Sequence, residues 1–311
     1  MNPRVSVVIP TYNRKAVLLE SIASVQRQTF GDLEILVCDD GSSDGSREAV
    51  LGIAAEDDRV RWIPGEHCGY PGAVRNRGIR AAGGEWIAFQ DSDDLWVETK
   101  LEKQLAVLRG APDAQFIYSH AAAVLPDGRK LRMTPFRIPR QGRIFETLLM
   151  YSVVHAQTVL VRRNLLDQVG HFNEDMQLKI AEDYELFLRL AAKVPFYFVA
   201  EDLVLYRTQP DSVSADLLGG IDCFERVLKA IIDRFRVPDR LAHEALCRLE
   251  LRRYKHHLLR NYPRSARLQD LRSALARRPD SPLARLLLAV ENLRCADALK
   301  WLLTVQARNS A

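Results

Sequence analysis

The sequence predicts an α/β protein: an open, doubly wound, mainly parallel sheet with helices on both faces, followed by a C-terminal helical appendage. Three observations predict it. Short apolar, β-branched runs alternate with helix-length segments through residue 90, the pattern of strands joined by crossover helices. Polar clusters stand directly after three of those runs. From residue 221 onward the pattern is helical, broken only at Pro238, Pro263, Pro279 and Pro282, and three or four helices fit it.

Residues 5–9 read as the first strand, apolar on both faces as a central parallel strand should be. Pro10-Thr11-Tyr12-Asn13-Arg14 ends it, and Val17, Leu18, Ile22 and Val25 then follow helical spacing. Residues 33–38 form a second strand that ends at Asp39-Asp40-Gly41-Ser42-Ser43-Asp44. A helix to about Ala55, a short strand over 59–63 and a helix over 72–82 lead to the strand 85–90. Beyond it the pattern predicts a helix from 98 to about 108 and a strand from 115 to 125 with a turn at Pro126-Asp127-Gly128. A helix over 143–151, a strand over 157–161, a helix over 163–169 stopped by Gly170, an amphipathic helix over 182–192 and a strand over 196–206 follow. A boundary is expected at residues 214–220, where Gly219-Gly220 offers a hinge, giving domains 1–215 and 216–311.

The 311 residues, 47% hydrophobic and 27% charged, suffice for a real core. No run of about 18 uncharged apolar residues exists to span a membrane. The N-terminus lacks a signal-peptide pattern, so a cytoplasmic location is expected, with peripheral contact at the inner face of the membrane as an option. Five scattered cysteines without a Cys-x-x-Cys pair argue against a disulfide framework or a structural zinc; reduced, mostly buried thiols are expected. Net charge is +4, but residues 221–311 carry 19 Lys and Arg against 10 Asp and Glu, whereas the rest carries 25 against 30.

The strand 85–90 ends in Asp91-Ser92-Asp93-Asp94. Three carboxylates in four residues repel one another and resist desolvation. Asp91 and Asp94 could be turn and cap residues, or the cluster could supply oxygen ligands to a divalent cation. In an open parallel sheet, the ends of the three strands lie on one edge, where ligands bind. Independent caps would not be expected to converge there, so a site is favoured.

Taken in order, Pro10-Thr11-Tyr12-Asn13-Arg14, Asp39-Asp40-Gly41-Ser42-Ser43-Asp44, Arg75-Asn76, Gly84-Glu85-Trp86, Asp91-Ser92-Asp93-Asp94 and Glu182-Asp183 resemble glycosyltransferase family 2, the inverting enzymes of the GT-A fold, over residues 4–210. The resemblance implies that Thr11, Tyr12 and Asp40 line a nucleobase pocket, the carboxylate accepting a uracil ring N–H. Pro10, Asn13 and Ser92 join them as donor-binding residues of the matched motifs, and Arg75 faces the nucleotide or donor sugar. Asp91 and Asp93 match the Asp-x-Asp that holds Mn²⁺ or Mg²⁺ against the diphosphate. Asp183 matches the catalytic base, with Glu182 beside it, although acids opening a helix also cap its dipole. His171 stands where the family more often has a small residue. The implied partners are a nucleotide sugar, most simply a UDP-sugar, and a saccharide or lipid-linked saccharide acceptor in cell-envelope polysaccharide or lipopolysaccharide assembly.

His67 and His155 read as loop or core histidines, and Trp96 as a core residue or a sugar-stacking ring. Residues 206–214 read as a loop able to close over the diphosphate. The basic helices read as a bundle with a solvated face, or as a surface for anionic lipid. A sugar nucleotidyltransferase would need a Gly-rich loop after the first strand, where residues 10–14 hold no glycine. No P-loop exists. A nucleic-acid partner is not expected, because the basic tail lacks interleaved aromatics and the remainder is acidic; a non-catalytic binding homologue would be expected to lose its acids.

Overall fold

The structure is a computed structural model, and it describes residues 3–124, 129–132, 140–207, 217–293, 296 and 300. The chain divides into two compact units, Met1–Pro210 and Asp211–Ala311. The expected domain boundary after residue 215, the turn at 126–128 and the loop at 208–214 lie outside the described residues.

In the first unit, β1 (Val5–Thr11), β2 (Leu33–Asp39), β3 (Val60–Ile63) and β4 (Trp86–Phe89) pair in parallel in the order β3-β2-β1-β4. The chain winds outward from β1 through β2 to β3, then jumps to the far side of β1. The crevice at a sheet's ligand-binding edge forms at such a reversal. Val5, Val7 and Ile9 pack with Ile35 and Val37 against Leu18, Ile22 and Val25 of α1 (Lys15–Gln26) and Val50 of α2 (Ser46–Glu56). Side chains alternate along a strand, so Val8 and Cys38 point the other way, toward α3 (Pro71–Ala81). There Gly78 comes so close that an added Cβ would lie 2.4 Å from Val8 Cγ1. Helices therefore cover both faces.

The uniformly parallel arrangement is confined to this half. The sheet continues through β8 (Leu160–Arg162), β6 (Phe116–Val124), β9 (Tyr197–Arg207) and β5 (Leu95–Trp96), with β7 (Lys130–Arg132) on the side of β6. Of these pairings only β6–β9 is parallel. The elements α4 (Lys100–Ala106), α5 (Phe145–Met150), α6 (Arg163–Val169) and α7 (Glu182–Lys193) complete the unit. The expected strand at 157–161 is displaced: residues 156–158 form a 3₁₀ turn and pairing begins at Leu160. Trp96 is core, buried with its Nε1–H donated to the Gln157 carbonyl at 3.2 Å and Lys100 over its ring.

The second unit holds α8 (Leu217–Phe235), α9 (Asp239–Leu259), α10 (Arg264–Arg277) and α11 (Pro282–Asn292). Tyr254, Leu258 and Leu271 form its core with Leu287 and Leu288 packed against them. The fully buried Glu291 is satisfied by Arg267 and Tyr254. No helix among the described residues is long and apolar enough to cross a membrane. Four cysteines are free thiols, of which Cys38 and Cys247 are buried and Cys68 is exposed; Cys295 lies outside the described residues.

Candidate active site

The loops after β1 and β2 are tied into one rim. Asn13 donates its N–H to Ser42 Oγ (2.9 Å), and its Oδ1 accepts the Ser43 N–H (2.8 Å). Lys15 N–H donates to Asp44. Asp39 closes the turn by accepting from the N–H groups of Gly41 and Ser42. Gly41 sits at φ +82°, a left-handed conformation that suits glycine, and a Cβ there would meet the His67 backbone N at 3.0 Å. Asn13 thus ties the two loops together through its backbone N–H and its side-chain oxygen. Pro10, half-buried, stands in register with Cys38.

Within this rim Thr11 is buried and its Oγ1 has no hydrogen-bond partner, leaving a polar atom for something else to satisfy. Tyr12 is 43% exposed and stacks on His67 at 4.1 Å between ring centroids. Asp40 is buried, and both of its oxygens are served. Oδ1 accepts from the Cys68 N–H and from Arg77, each at 3.0 Å. Oδ2 accepts from the Gly69 N–H (2.8 Å) and lies 3.0 Å from His67 Nδ1. Burial raises its pKa, but hydrogen bonds from Cys68 and Gly69 and the nearby His67 outweigh that and hold it below the usual carboxylate range. Arg77 reaches Asp40 past Gly65, where a Cβ would overlap the guanidinium at 0.9 Å from NH1. His67, Cys68, Gly69 and Arg77 were not among the sequence-derived site residues. The only signal for Arg77 was a second arginine two places after Arg75.

The tip of β4 faces the start of α7 across Arg75. This arginine is buried, with NH2 2.7 Å from Asp91 Oδ1 and NH1 3.0 Å from Glu182 Oε1. Its Nε is buried without a partner. One guanidinium therefore bridges carboxylates from two elements. Asn76 has the neighbouring task of pinning the incoming loop: its side chain donates to the Phe172 carbonyl and accepts the Phe172 N–H. Arg189 fastens the same loop by donating to the carbonyls of Val169, Gly170 and His171.

Asp183 is half-buried, and one oxygen accepts the Tyr184 N–H at 2.7 Å. Burial pushes its pKa up to about 6 against the opposing pull of Arg75. Burial and the Asp183 charge likewise push Glu182 up, again against Arg75. Asp93 pairs with Arg14. Burial and the charge on Asp91 raise its pKa, with Arg14 opposing. Asp94 is fully buried and is a support: it accepts the Arg207 N–H (3.0 Å) and Gln157 Nε2–H (2.9 Å). Ser92 is buried in the turn between them.

Asp91 and Asp93 offer hard oxygen donors whose mutual repulsion a cation would relieve. Each rests on an arginine, and no three His, Cys, Asp or Glu side chains converge on a metal-sized point among the described residues. Two carboxylates are fewer ligands than a divalent ion takes, so an ion held by this pair would draw the rest from a bound molecule and water.

The arginines and carboxylates thus gather at the switch point of an open α/β sheet, the place where proteins of this class bind their ligands. The chain belongs to glycosyltransferase family 2 and is a glycosyltransferase: the model of that family, Glycosyl transferase family 2, matches residues 6–170. It is 40% identical over 186 residues, 60% of this chain and 69% of the relative, to the Escherichia coli UDP-Glc:alpha-D-GlcNAc-diphosphoundecaprenol beta-1,3-glucosyltransferase WfgD. Its fold resembles Staphylococcus aureus TarS 1-349 in complex with UDP-GlcNAc, with a TM-score of 0.68 at 20% identity, covering 94% of this chain and 88% of that one. It spans 54% of a longer TarS chain. The Pyrobaculum calidifontis mannosyltransferase PcManGT in complex with GDP-Man and Mn2+ superposes with a TM-score of 0.54 at 19% identity, covering 96% of this chain and 87% of that one.

Proposed function

We propose that the protein transfers a sugar, with inversion, from a UDP-sugar to a hydroxyl of a lipid-linked saccharide during cell-envelope glycan assembly at the inner face of the membrane. The observation that carries this reading is the Arg75 bridge, which places the Asp91 carboxylate and the Glu182-Asp183 pair at one crevice. The named substrates of the Escherichia coli relative support the UDP donor and the lipid-linked acceptor.

The Thr11 hydroxyl and the exposed Tyr12 ring receive the nucleobase. For Asp40 to accept a ring N–H, one of its present donors must yield, and His67, whose side chain is half-exposed, is the candidate. Arg14 and Arg75 meet the diphosphate. A divalent cation held by Asp91 and Asp93 would add Lewis-acid neutralisation of the leaving group. Asp183 takes the proton of the attacking hydroxyl as the bond forms, a role suited to a carboxylate with a raised pKa. Direct attack opposite the leaving group inverts the anomeric centre and needs no enzyme nucleophile.

The test is a panel of nucleotide sugars with polyprenyl-diphosphate-linked acceptors and Mn²⁺ or Mg²⁺, read as released nucleotide and as product anomeric configuration. Release of UDP with an inverted product supports the reading. Absence of turnover with every donor, together with no metal-dependent nucleotide binding, refutes it.

A further inference from the structure

The segment that joins α5 to β8 runs past the crevice, and both of its ends are fastened to parts of the site. At one end the hydroxyl of Tyr184, the residue after Asp183, donates to the Leu148 carbonyl of α5 at 2.8 Å. At the other end Gln157 Nε2–H donates to Asp94 Oδ2 at 2.9 Å, and the Gln157 carbonyl accepts from Trp96. β8 runs antiparallel to β4 with Leu160 opposite Ala88, so the residues before Leu160 pass beside the tip of β4. Residues 151–155 therefore lead from the start of α7 to the tip of β4, the places where Asp183 and Asp91 stand. Val153 and Val154 are buried along that path. His155 closes it. The Thr158 N–H and hydroxyl both donate to its carbonyl, which fixes it at the head of the 3₁₀ turn. The residue is half-buried, and its ring has no hydrogen-bond partner among the described residues. The charge acting on that ring is Asp91, which also acts on Asp183.

We propose that His155 binds a hydroxyl group of the sugar being transferred. The assignment rests on the proposed UDP-sugar donor and adds a residue that recognises the sugar itself. Along the sheet edge the order β2-β1-β4-β8 runs from Asp40 and Tyr12, through Asp91 and Arg75, to His155. A nucleotide sugar laid along that order, with its base at β1 and β2 and its diphosphate at Arg75, places the sugar next. The sugar hangs from the second phosphate, and the acceptor hydroxyl must reach its far side, where Asp183 takes the proton. His155 borders the same space. Chemistry selects a hydroxyl over a further phosphate. Asp91 and Asp183 repel an anion, whereas a hydroxyl both donates and accepts, and an imidazole can answer either way. A polar group placed to meet one hydroxyl discriminates against a sugar that lacks it, so His155 contributes to the choice of donor.

The experiment is calorimetry on the full chain with Mn²⁺, titrating UDP and UDP-glucose into wild type, His155→Ala and His155→Gln. Wild type is expected to bind both. His155→Ala should weaken UDP-glucose by about 3- to 10-fold and leave UDP within about twofold, with an unchanged midpoint in urea unfolding. His155→Gln, which keeps a donor and an acceptor, should recover part of the loss. Equal weakening of UDP and UDP-glucose overturns the proposal, because the ring then acts on the nucleotide or on the fold. So does a His155→Ala variant that binds UDP-glucose as the wild type does, and so does a loss that His155→Gln fails to reduce. In those three outcomes, binding of UDP by the wild type leaves the donor reading intact. A wild type that binds neither ligand removes that reading, and the role of His155 falls with it.

Discussion

Replacing Asp183 with Asn separates activity from stability in opposite directions. In the proposed role of receiving the acceptor proton Asp183 must be ionised, so kcat/KM should rise with pH along a limb set by a carboxyl whose pKa burial lifts to about 6. Asparagine cannot take a proton, and turnover should fall by about 10²- to 10⁴-fold. The same elevation acts on folding. The native state holds the Asp183 proton more tightly than the unfolded chain, so stability is lost as pH rises from the ordinary carboxyl value through the folded one. An increase from 3.8 to about 6 corresponds to about 3 kcal/mol, and solvent at this half-buried group reduces that to about 1–2 kcal/mol. Asp183→Asn should therefore melt about 2–6 °C higher than wild type at about pH 8. The gap should close as pH falls through the 6-to-4 window, where wild-type Asp183 becomes protonated in both states. Thermal unfolding at several pH values and donor turnover on the same samples provide the assay. A variant that keeps more than a tenth of wild-type activity, or that is less stable at about pH 8, refutes the assignment.

Other substitutions probe the remaining parts. Asp93→Ala should abolish metal-dependent turnover and change stability by less than about 1 kcal/mol, because its Arg14 pair is partly solvated; full activity by nucleotide release would show that Asp93 is not needed. Tyr12→Ala removes the exposed ring offered to the base, and stacking of about 1–3 kcal/mol implies roughly 5- to 150-fold weaker nucleotide binding by calorimetry; unchanged affinity would move the base elsewhere. Gly78→Ala places a methyl group 2.4 Å from Val8 Cγ1 and 2.8 Å from Cys38 Sγ, so it should destabilise by about 1–3 kcal/mol in urea unfolding, and a wild-type midpoint would contradict the close approach of α3.

Much of the fold was legible because local pattern and burial agree. Residues 5–9 and 33–38 are buried on both faces and apolar except for Ser6 and Glu34, which pair with each other, as suits strands covered on both sides. Gly170 stops α6 where expected, at φ +92°. Legibility failed where tertiary contacts override pattern. Gln157 and Thr158 alternate like strand residues, but Gln157 is drawn to Asp94 and Thr158 Oγ1 to the His155 carbonyl, and the backbone coils into a 3₁₀ turn. The order β4-β8-β6-β9-β5 depends on pairings between residues far apart in sequence, which no short window reports. In the site, the motif residues themselves stood out, while their partners did not. Asp40 is held by Cys68, Gly69 and Arg77, 28 to 37 positions away, and a glycine at 65 makes room for one of them.

Those partners share a feature with consequences for ligand binding. Asp93 faces Arg14, Asp91 and Glu182 face Arg75, and Asp40 faces Arg77. Each of these four carboxylates meets an arginine contributed from another segment, Asp91 and Glu182 sharing one. This keeps a crowded cluster of acids folded despite the cost of burying like charges. A diphosphate entering the crevice competes for the same guanidinium groups. When Arg14 or Arg75 turns from a carboxylate to a phosphate, its own pairing is conserved and the burden of unpaired charge shifts to Asp93 or Asp91. The donor and a counter-charge for those acids are then linked: each makes the other easier to bind. Arg75 extends the linkage to Glu182, because loosening its hold there alters the electrostatics beside Asp183. Ligand occupancy at the β4 tip and proton affinity at the α7 start should therefore be coupled through one side chain, and Arg75→Lys, too short a fork to span both carboxylates, should uncouple them. The measurable sign is the acid limb of the pH–rate profile: it should move on substitution if Arg75 transmits this coupling, and stay fixed if it only braces the fold.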